Sequence, residues 1–398
     1  MLSYENALQQ VLETIVPLPS QQLPLPPAAG LFLAAPVKAR WDMPRWDNSA
    51  MDGFAVAGIS VGSSKRLEIV GVAYAGHPFN GSLTPGEAIH ITTGASLPEG
   101  ADTVIPIEDC TEENGQLILK QAASKGQHVR YCGEEYHAEE VLLEAGEQLQ
   151  AGAIGLLASA GVERVHAISR PRVAIFSTGD ELVELGQEPG EGQIVNSNLQ
   201  YLVARVRECG CTPIPLGIGE DQDSDLSRLL DLAMKSDLII STGGVSVGEK
   251  DLVLQSLEQH EFVRKFWKVA IKPGKPLLFG TLNNVPYFGL PGNPAATAAT
   301  FELFTRPALS KLSGCPNPLA PVLRVKLAEP VKGGGKRQQF LWGKLSVNAG
   351  LLSFIPFQRQ GSGQNRSLQA AQALLPVAIG SPDLAAGDEV DIILLRAL

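Results

Sequence analysis

Two apolar runs far apart in the chain end on nearly the same text, STGDEL at 177–182 and STGGVS at 241–246. The run over 173–176 and the run of Leu238, Ile239 and Ile240 are continuous apolar segments, the pattern of strands covered on both faces. Around them lie helical repeats, Leu199, Leu202, Val203 and Val206, then Leu226, Leu229, Leu230 and Ala233, with a further strand expected over 213–216. Strand alternating with helix confines the chain to a parallel sheet with right-handed crossovers. Both small-residue loops then open on one edge of that sheet, where open α/β sheets bind ligands. Thr178, Gly179, Ser241, Gly243, Gly244 and Ser246 form turns whose amides an anion can approach unhindered, and Asp180, Glu181 and Asp251 add carboxylates. The plainer alternative is a glycine-rich turn with no ligand.

At 398 residues the chain exceeds one ordinary domain. A formal charge of −10 argues against a general nucleic-acid binder, which needs a basic surface. Against that background the stretch 262–281 stands out, because it holds Arg264, Lys265, Lys268, Lys272 and Lys275 and no acid. If 266–272 is extended, alternation puts Lys268 and Lys272 on one face, and Pro273 and Gly274 turn Lys275 toward them. The result is either a positive patch for a phosphate or oxyanion, or a solvated strand face. Pro291, Gly292, Asn293 and Pro294 then make a rigid turn into a helix, whose free amides suit an anion.

Upstream, Leu8, Val11, Leu12 and Ile15 predict a short helix after Ser3, followed by a proline-rich connector over 17–27. The segment 41–56, WDMPRWDNSAMDGFAV, mixes Asx side chains with aromatics and follows no helical or strand period. It reads as an ordered loop of capped turns or as a site loop with Asp52 as its acid. Strands are expected over 67–72, 88–93 and 117–120, with a hydroxyl-and-glycine loop at Thr92, Thr93 and Gly94. Arg130 precedes Glu135 in a glycine turn, where the two either pair on the surface or serve a ligand. The Ala, Gly and Leu of 149–167 predict a helix. Beyond Gly314 strands are expected over 322–327, 339–347, 351–357 and 389–395, with a loop at 361–367 containing Ser362.

The five cysteines are scattered and form no CxxC pair, so neither zinc nor a disulfide scaffold is expected. No apolar segment is long enough to span a membrane, and the start lacks a basic region followed by a long apolar run. A cytoplasmic protein is expected.

The motifs DNSAMDGFAV, ITTGASLPEGADTVI, STGDEL, STGGVSVGEKD, KVAIKPGKPLLFG and GLPGNPA, in this order, resemble those of the molybdopterin molybdenumtransferase family, related to the E domain of gephyrin. The resemblance runs over nearly the whole chain. It implies a multidomain α/β plus β fold: a segmented helical linking domain (1–40 with 141–170), a β domain (41–140), a three-layer α/β/α molybdopterin-binding domain like the pterin adenylyltransferases (171–313), and a C-terminal β-barrel (314–398). The implied reaction is Mg²⁺-dependent insertion of molybdate into adenylylated molybdopterin with release of AMP, by a homodimer. Partners of that kind include the pterin adenylyltransferase and molybdoenzyme-targeting proteins.

Carried over by position, Asp180, Glu181, Asp221 and Asp251 surround metal and nucleotide. Asp52, Thr93, Arg130 and Glu135 come from the β domain of the other subunit, and Lys268, Lys272, Lys275 and Ser362 hold phosphate and molybdate. Three departures stand out: Glu135 where the family has Asp, Ala296 where PGNPVS has Ser, and Trp342 where the barrel motif has Arg. The alternatives are a non-catalytic pterin-binding carrier or scaffold, and a relative with adenylyltransferase-like or pyrophosphatase-like chemistry.

Overall fold

The computed structural model describes residues 1–57, 66–219, 223–244, 252–348 and 350–396. Three six-stranded sheets and a set of two-stranded ribbons carry the chain.

The central sheet has the order Thr212–Gly219, Arg172–Thr178, Leu238–Thr242, Val285–Leu290, Leu278–Leu282, Phe262–Trp267. Its first four strands are parallel, Leu278–Leu282 runs antiparallel to them, and Phe262–Trp267 pairs antiparallel with Leu278–Leu282. The two similar strand ends predicted from sequence are therefore direct neighbours, Ser177 paired in register with Thr242. Alternation along Arg172–Thr178 splits its apolar side chains between two cores. Val173 and Ile175 pack with the helices Tyr4–Thr14 and Ser197–Glu208 and with Phe301, Phe304 and Leu309. Ala174 and Phe176 pack with Leu226, Leu229 and Leu230 of the helix Asp223–Ala233 and with Leu257 of the helix Leu252–Gln259. The amino-terminal helix is capped by Ser3, whose hydroxyl accepts the Asn6 N–H, and it buries Ala7, Leu8 and Val11 against this sheet.

A second sheet, in the order Ala101–Pro106, Gly53–Ala57, Glu87–Ile91, Arg66–Ala73, Gln116–Leu119, Cys110–Glu113, occupies the segment expected to be strand-rich. The proline-rich connector is shorter than its composition suggests. Ser20–Pro24 pairs antiparallel with Arg164–Ile168, so the helix expected over 149–167 is in fact Ala151–Ser159 followed by that strand. Gly161, at φ +75°, breaks the helix.

At the carboxyl end Val322–Leu327, Gln338–Asn348, Leu351–Pro356, Ala373–Val377 and Glu389–Leu394 close into a five-stranded barrel, each strand paired to two others. The strand Ala373–Val377 escaped the sequence reading because Pro376 and the short apolar run do not alternate. Two features fasten the barrel to the central sheet. Ile271–Lys272 adds a parallel edge to Gln338 and Gln339. Beneath it the buried carboxylate of Glu302 bonds Arg205 at 2.8 Å and pairs with Arg306 at 3.1 Å, while both guanidinium groups donate to the barrel carbonyls of Leu394 or Leu395. A guanidinium fork offers five donors in a fixed plane and so bridges a carboxylate and carbonyls on different sides at once, whereas a lysine is a compact point charge.

Candidate functional site

Three adjacent parallel strands end side by side. Arg172–Thr178 runs into Gly179, Leu238–Thr242 into Gly243 and Gly244, and Val285–Leu290 into Pro291 and Asn293. Gly243 and Gly244 hold φ of +88° and +61°, the left-handed region that glycine enters without strain. A Cβ on Gly243 would meet the Thr178 carbonyl oxygen at 2.1 Å, so the two loops approach closer than any side chain allows. Between them lies a cavity of about 390 Å³, lined by Thr178, Glu181, Asn196, Thr242, Gly243, Gly244, Pro291, Asn293 and Pro294, among others.

Hydrogen bonds fix this edge from below. Ser177 Oγ donates to Asn196 Oδ1 at 3.0 Å and lies 2.8 Å from Thr242 Oγ1. Asn198 Nδ2 donates to the Gly292 carbonyl at 2.7 Å, tying the start of the helix Ser197–Glu208 to the Pro291–Asn293 turn. Thr178 Oγ1 and Asn196 Nδ2 are buried and lack a partner among the described residues. Ser241 is not in the lining: its fully buried hydroxyl lies 2.5 Å from Tyr287 Oη. Asp180 is exposed and also outside it, so Glu181 is the carboxylate that this loop presents. Asp221, Ser246 and Asp251 lie outside the described residues.

A second cavity of about 520 Å³ adjoins the first, sharing Pro276, Pro291 and Asn293 with it. Lys272, Lys275, Ala296, Arg337, Gln360 and Ser362 line it. The barrel loop reaches this wall because Ser362 O accepts the Ala295 N–H at 2.8 Å. Lys268 departs from the expectation. The strand ends at Trp267, Lys268 takes φ +71°, and its ammonium stacks 3.7 Å from the centroid of the Trp267 ring. Lys268 and Lys272 therefore do not share a strand face, and Lys268 lines neither cavity. Trp342 is packed in the core at 2% exposure, with its backbone N–H and carbonyl both held by the Gln360 amide. The guanidinium on this wall is Arg337, which also donates to the Ile271 carbonyl at 3.2 Å.

The second sheet carries its own group. Asp52 Oδ1 accepts from the Thr93 N–H at 2.7 Å and from Thr93 Oγ1 at 2.9 Å, and these bonds hold its carboxyl below the usual range, the backbone bond foremost. Beside this loop, Asn48, Gly94, Arg130, Glu134 and Glu135 line a cavity of about 510 Å³. The short ribbon pairing Asn48 with Arg130 brings the two halves together. Arg130 and Glu135 thus share a cavity with no ion pair between them among the described residues.

Three regions of the sequence match family models in chain order: residues 2–161 the MoeA N-terminal region (domain I and II), residues 174–311 the "Probable molybdopterin binding domain", and residues 324–395 the MoeA C-terminal region (domain IV). A molybdopterin molybdenumtransferase of Nostoc sp. is 38% identical over 98% of this chain and 93% of its own length. The chain belongs to the molybdopterin molybdenumtransferase family. A relative of the same name from Haemophilus influenzae is 38% identical over 79% of this chain and 78% of its own. The crystal structure of a molybdopterin biosynthesis MoeA protein from Pyrococcus horikoshii superposes with a TM-score of 0.84 over the full length of both chains at 29% identity. The chain is therefore an enzyme of molybdenum-cofactor biosynthesis with a mixed α/β fold and a closed carboxyl-terminal barrel. No helix among the described residues is long and apolar enough to cross a membrane.

Arg337, Gln360 and Asn196 were not foreseen from sequence. Asn196 carried a signal, since it stands directly before a predicted helix that starts at the ligand edge of the sheet. Arg337 carried none, because its place depends on barrel closure.

Proposed function

We propose that this chain inserts molybdate into adenylylated molybdopterin and releases AMP in a reaction that requires Mg²⁺. The observation that supports the reading best is the pair of contiguous cavities sharing Pro276, Pro291 and Asn293. One has glycine loops and strand-end amides suited to a phosphorylated ligand, and the other has Lys272, Lys275 and Arg337 suited to a small oxyanion. A nucleotide-bearing substrate in the first can present its reactive end to molybdate in the second.

Mg²⁺ keeps several waters and binds through one or two carboxylates plus substrate phosphates. Glu181, which lines the cavity, fits that requirement, with Asp180 next to it and Asp221 and Asp251 proposed to complete the set. Such an ion would polarise the pyrophosphate. The chain's own residues do the rest: Lys272, Lys275, Arg337 and Ser362 hold the oxyanion, and the Gly243–Gly244 turn, free of side chains, lets the phosphates approach the backbone. Pro291 and Pro294 stiffen the wall between the cavities, and Lys268 serves only once its ammonium leaves Trp267.

We further propose a homodimer in the cytoplasm, in which Asp52, Thr93, Arg130 and Glu135 of a second copy cover the strand-end cavity. The proposed divisions are 1–40 with 141–170, 41–140, a three-layer unit at 171–313, and 314–398. The two cores on opposite faces of the central sheet support the layering.

The test is AMP release from adenylylated molybdopterin by the purified protein with Mg²⁺, titrating molybdate from none to excess. Release that rises and saturates with molybdate, with active cofactor formed, is the expected result. Ala296 in the oxyanion wall and Trp342 in the core favour one rival, a pterin carrier, which would bind substrate and yield no AMP at any molybdate concentration. AMP release without dependence on molybdate would point instead to an adenylyltransferase-like or pyrophosphatase-like relative.

A further inference from the structure

Asn196 caps the helix Ser197–Glu208 and lines the strand-end cavity at 2% exposure. Its Oδ1 accepts two hydrogen bonds, from the Leu199 N–H at 3.3 Å and from Ser177 Oγ at 3.0 Å. Two donors on one oxygen settle which way the amide points. Ser177, having given its proton to Asn196, accepts from Thr242 Oγ1 at 2.8 Å, so the chain of bonds runs from Thr242 through Ser177 to Asn196 and polarises in that direction. The amide nitrogen at its end has no acceptor among the described residues. Neither has Thr178 Oγ1, which is also 2% exposed and lines the same cavity. Buried polar atoms in native proteins are nearly always bonded, so each of these two atoms calls for an acceptor that the described residues do not supply. The helix behind Asn196 is 12 residues long, and its positive end favours an acceptor that carries negative charge.

We infer that Asn196 Nδ2, assisted by Thr178 Oγ1, donates to a phosphoryl oxygen of the bound nucleotide and so selects phosphorylated ligands at this cavity. The inference rests on the nucleotide reading of the cavity and adds the residue that reads the phosphate.

The experiment is calorimetric titration of the full chain with AMP and, separately, with adenosine, comparing the wild type with Asn196→Ser. Serine remains a good helix cap and adds no charge, while it removes the amide donor. AMP affinity is expected to fall about ten- to hundredfold and adenosine affinity to stay as it was. Asn196→Asp keeps both accepted bonds, and it is used if the serine variant loses thermal stability; the same selective loss of AMP is expected. Unchanged AMP affinity, or an equal loss for AMP and adenosine, overturns the assignment. A wild-type protein that binds neither ligand overturns the nucleotide reading of the cavity and the inference with it.

Discussion

Ser362 Oγ stands 3.4 Å from Asn293 Nδ2, although the two residues belong to the barrel and the central sheet. Asn293 also borders both cavities. Their relative position depends on how firmly the two parts are held. The Arg205–Glu302–Arg306 group is the clamp, and Glu302 is its only buried carboxylate among the described residues. Glu302→Gln takes the counter-charge from Arg306 and one of two carboxylates from Arg205, which Glu208 still pairs, and removing one partner from such a buried set costs about 3–5 kcal/mol. Urea unfolding followed by tryptophan fluorescence should show that loss, and an unchanged midpoint would remove Glu302 from this role.

Lys272 and Lys275 are exposed side chains on the oxyanion wall. Lys272→Ala should raise the molybdate concentration needed for half-maximal AMP release about tenfold or more, because a charge-assisted contact is lost. The KM for the pterin substrate should move less. An equal effect on both would place Lys272 on the substrate phosphates.

Ala296 contributes a methyl group where the resembled PGNPVS motif carries a hydroxyl, and it is 4% exposed beside the cavity. Ala296→Ser adds one donor at little steric cost. Molybdate binding should tighten about two- to tenfold, measured by titration, with stability nearly unchanged. No gain would mean that Arg337 and Ser362 already saturate the oxyanion.

Gly243 tolerates no side chain, because its φ is +88° and a Cβ would strike the Thr178 carbonyl. Gly243→Ala should cost about 1–3 kcal/mol of stability and abolish AMP binding by forcing the loops apart. Retained AMP affinity in that variant would show that this loop does not carry the phosphates.

The two hydrogen bonds from Thr93 hold the Asp52 carboxyl below its ordinary range, so their stabilisation is present above the unfolded carboxylate pKa and fades as the pH falls through the lowered folded value. Thr93→Ala removes the hydroxyl and keeps the backbone bond. The Asp52 pKa should rise part of the way back, as read by carboxyl-carbon NMR across an acid titration; no movement would mean that the backbone amide alone sets it.

The strand ends were legible from residue type because they rest on local requirements: β-propensity, then small residues, then a helix start. Their adjacency followed from the alternation of strand and helix, and Ser177 facing Thr242 agrees with it. Lys268 was misplaced because extended alternation was carried past Trp267, whereas a positive φ turns the chain there and the ring captures the ammonium. Arg337 and Gln360 were illegible, since no local pattern says which barrel residues face a cavity once the sheet has closed. Trp342 stands where the resembled motif has Arg, and its indole fills core volume.

The strand-end cavity takes its lining from residues between Thr178 and Pro294, while its neighbour needs Arg337, Gln360 and Ser362 as well. A chain leaving the ribosome therefore completes the walls of the first cavity before the far wall of the second has been synthesised. A carboxyl-terminally clipped copy has nowhere to put molybdate on the proposed reading, and it also loses Phe340, Trp342, Leu374 and Leu395 from the core beneath the central sheet. Such a copy therefore loses support for both cavities and not the second alone.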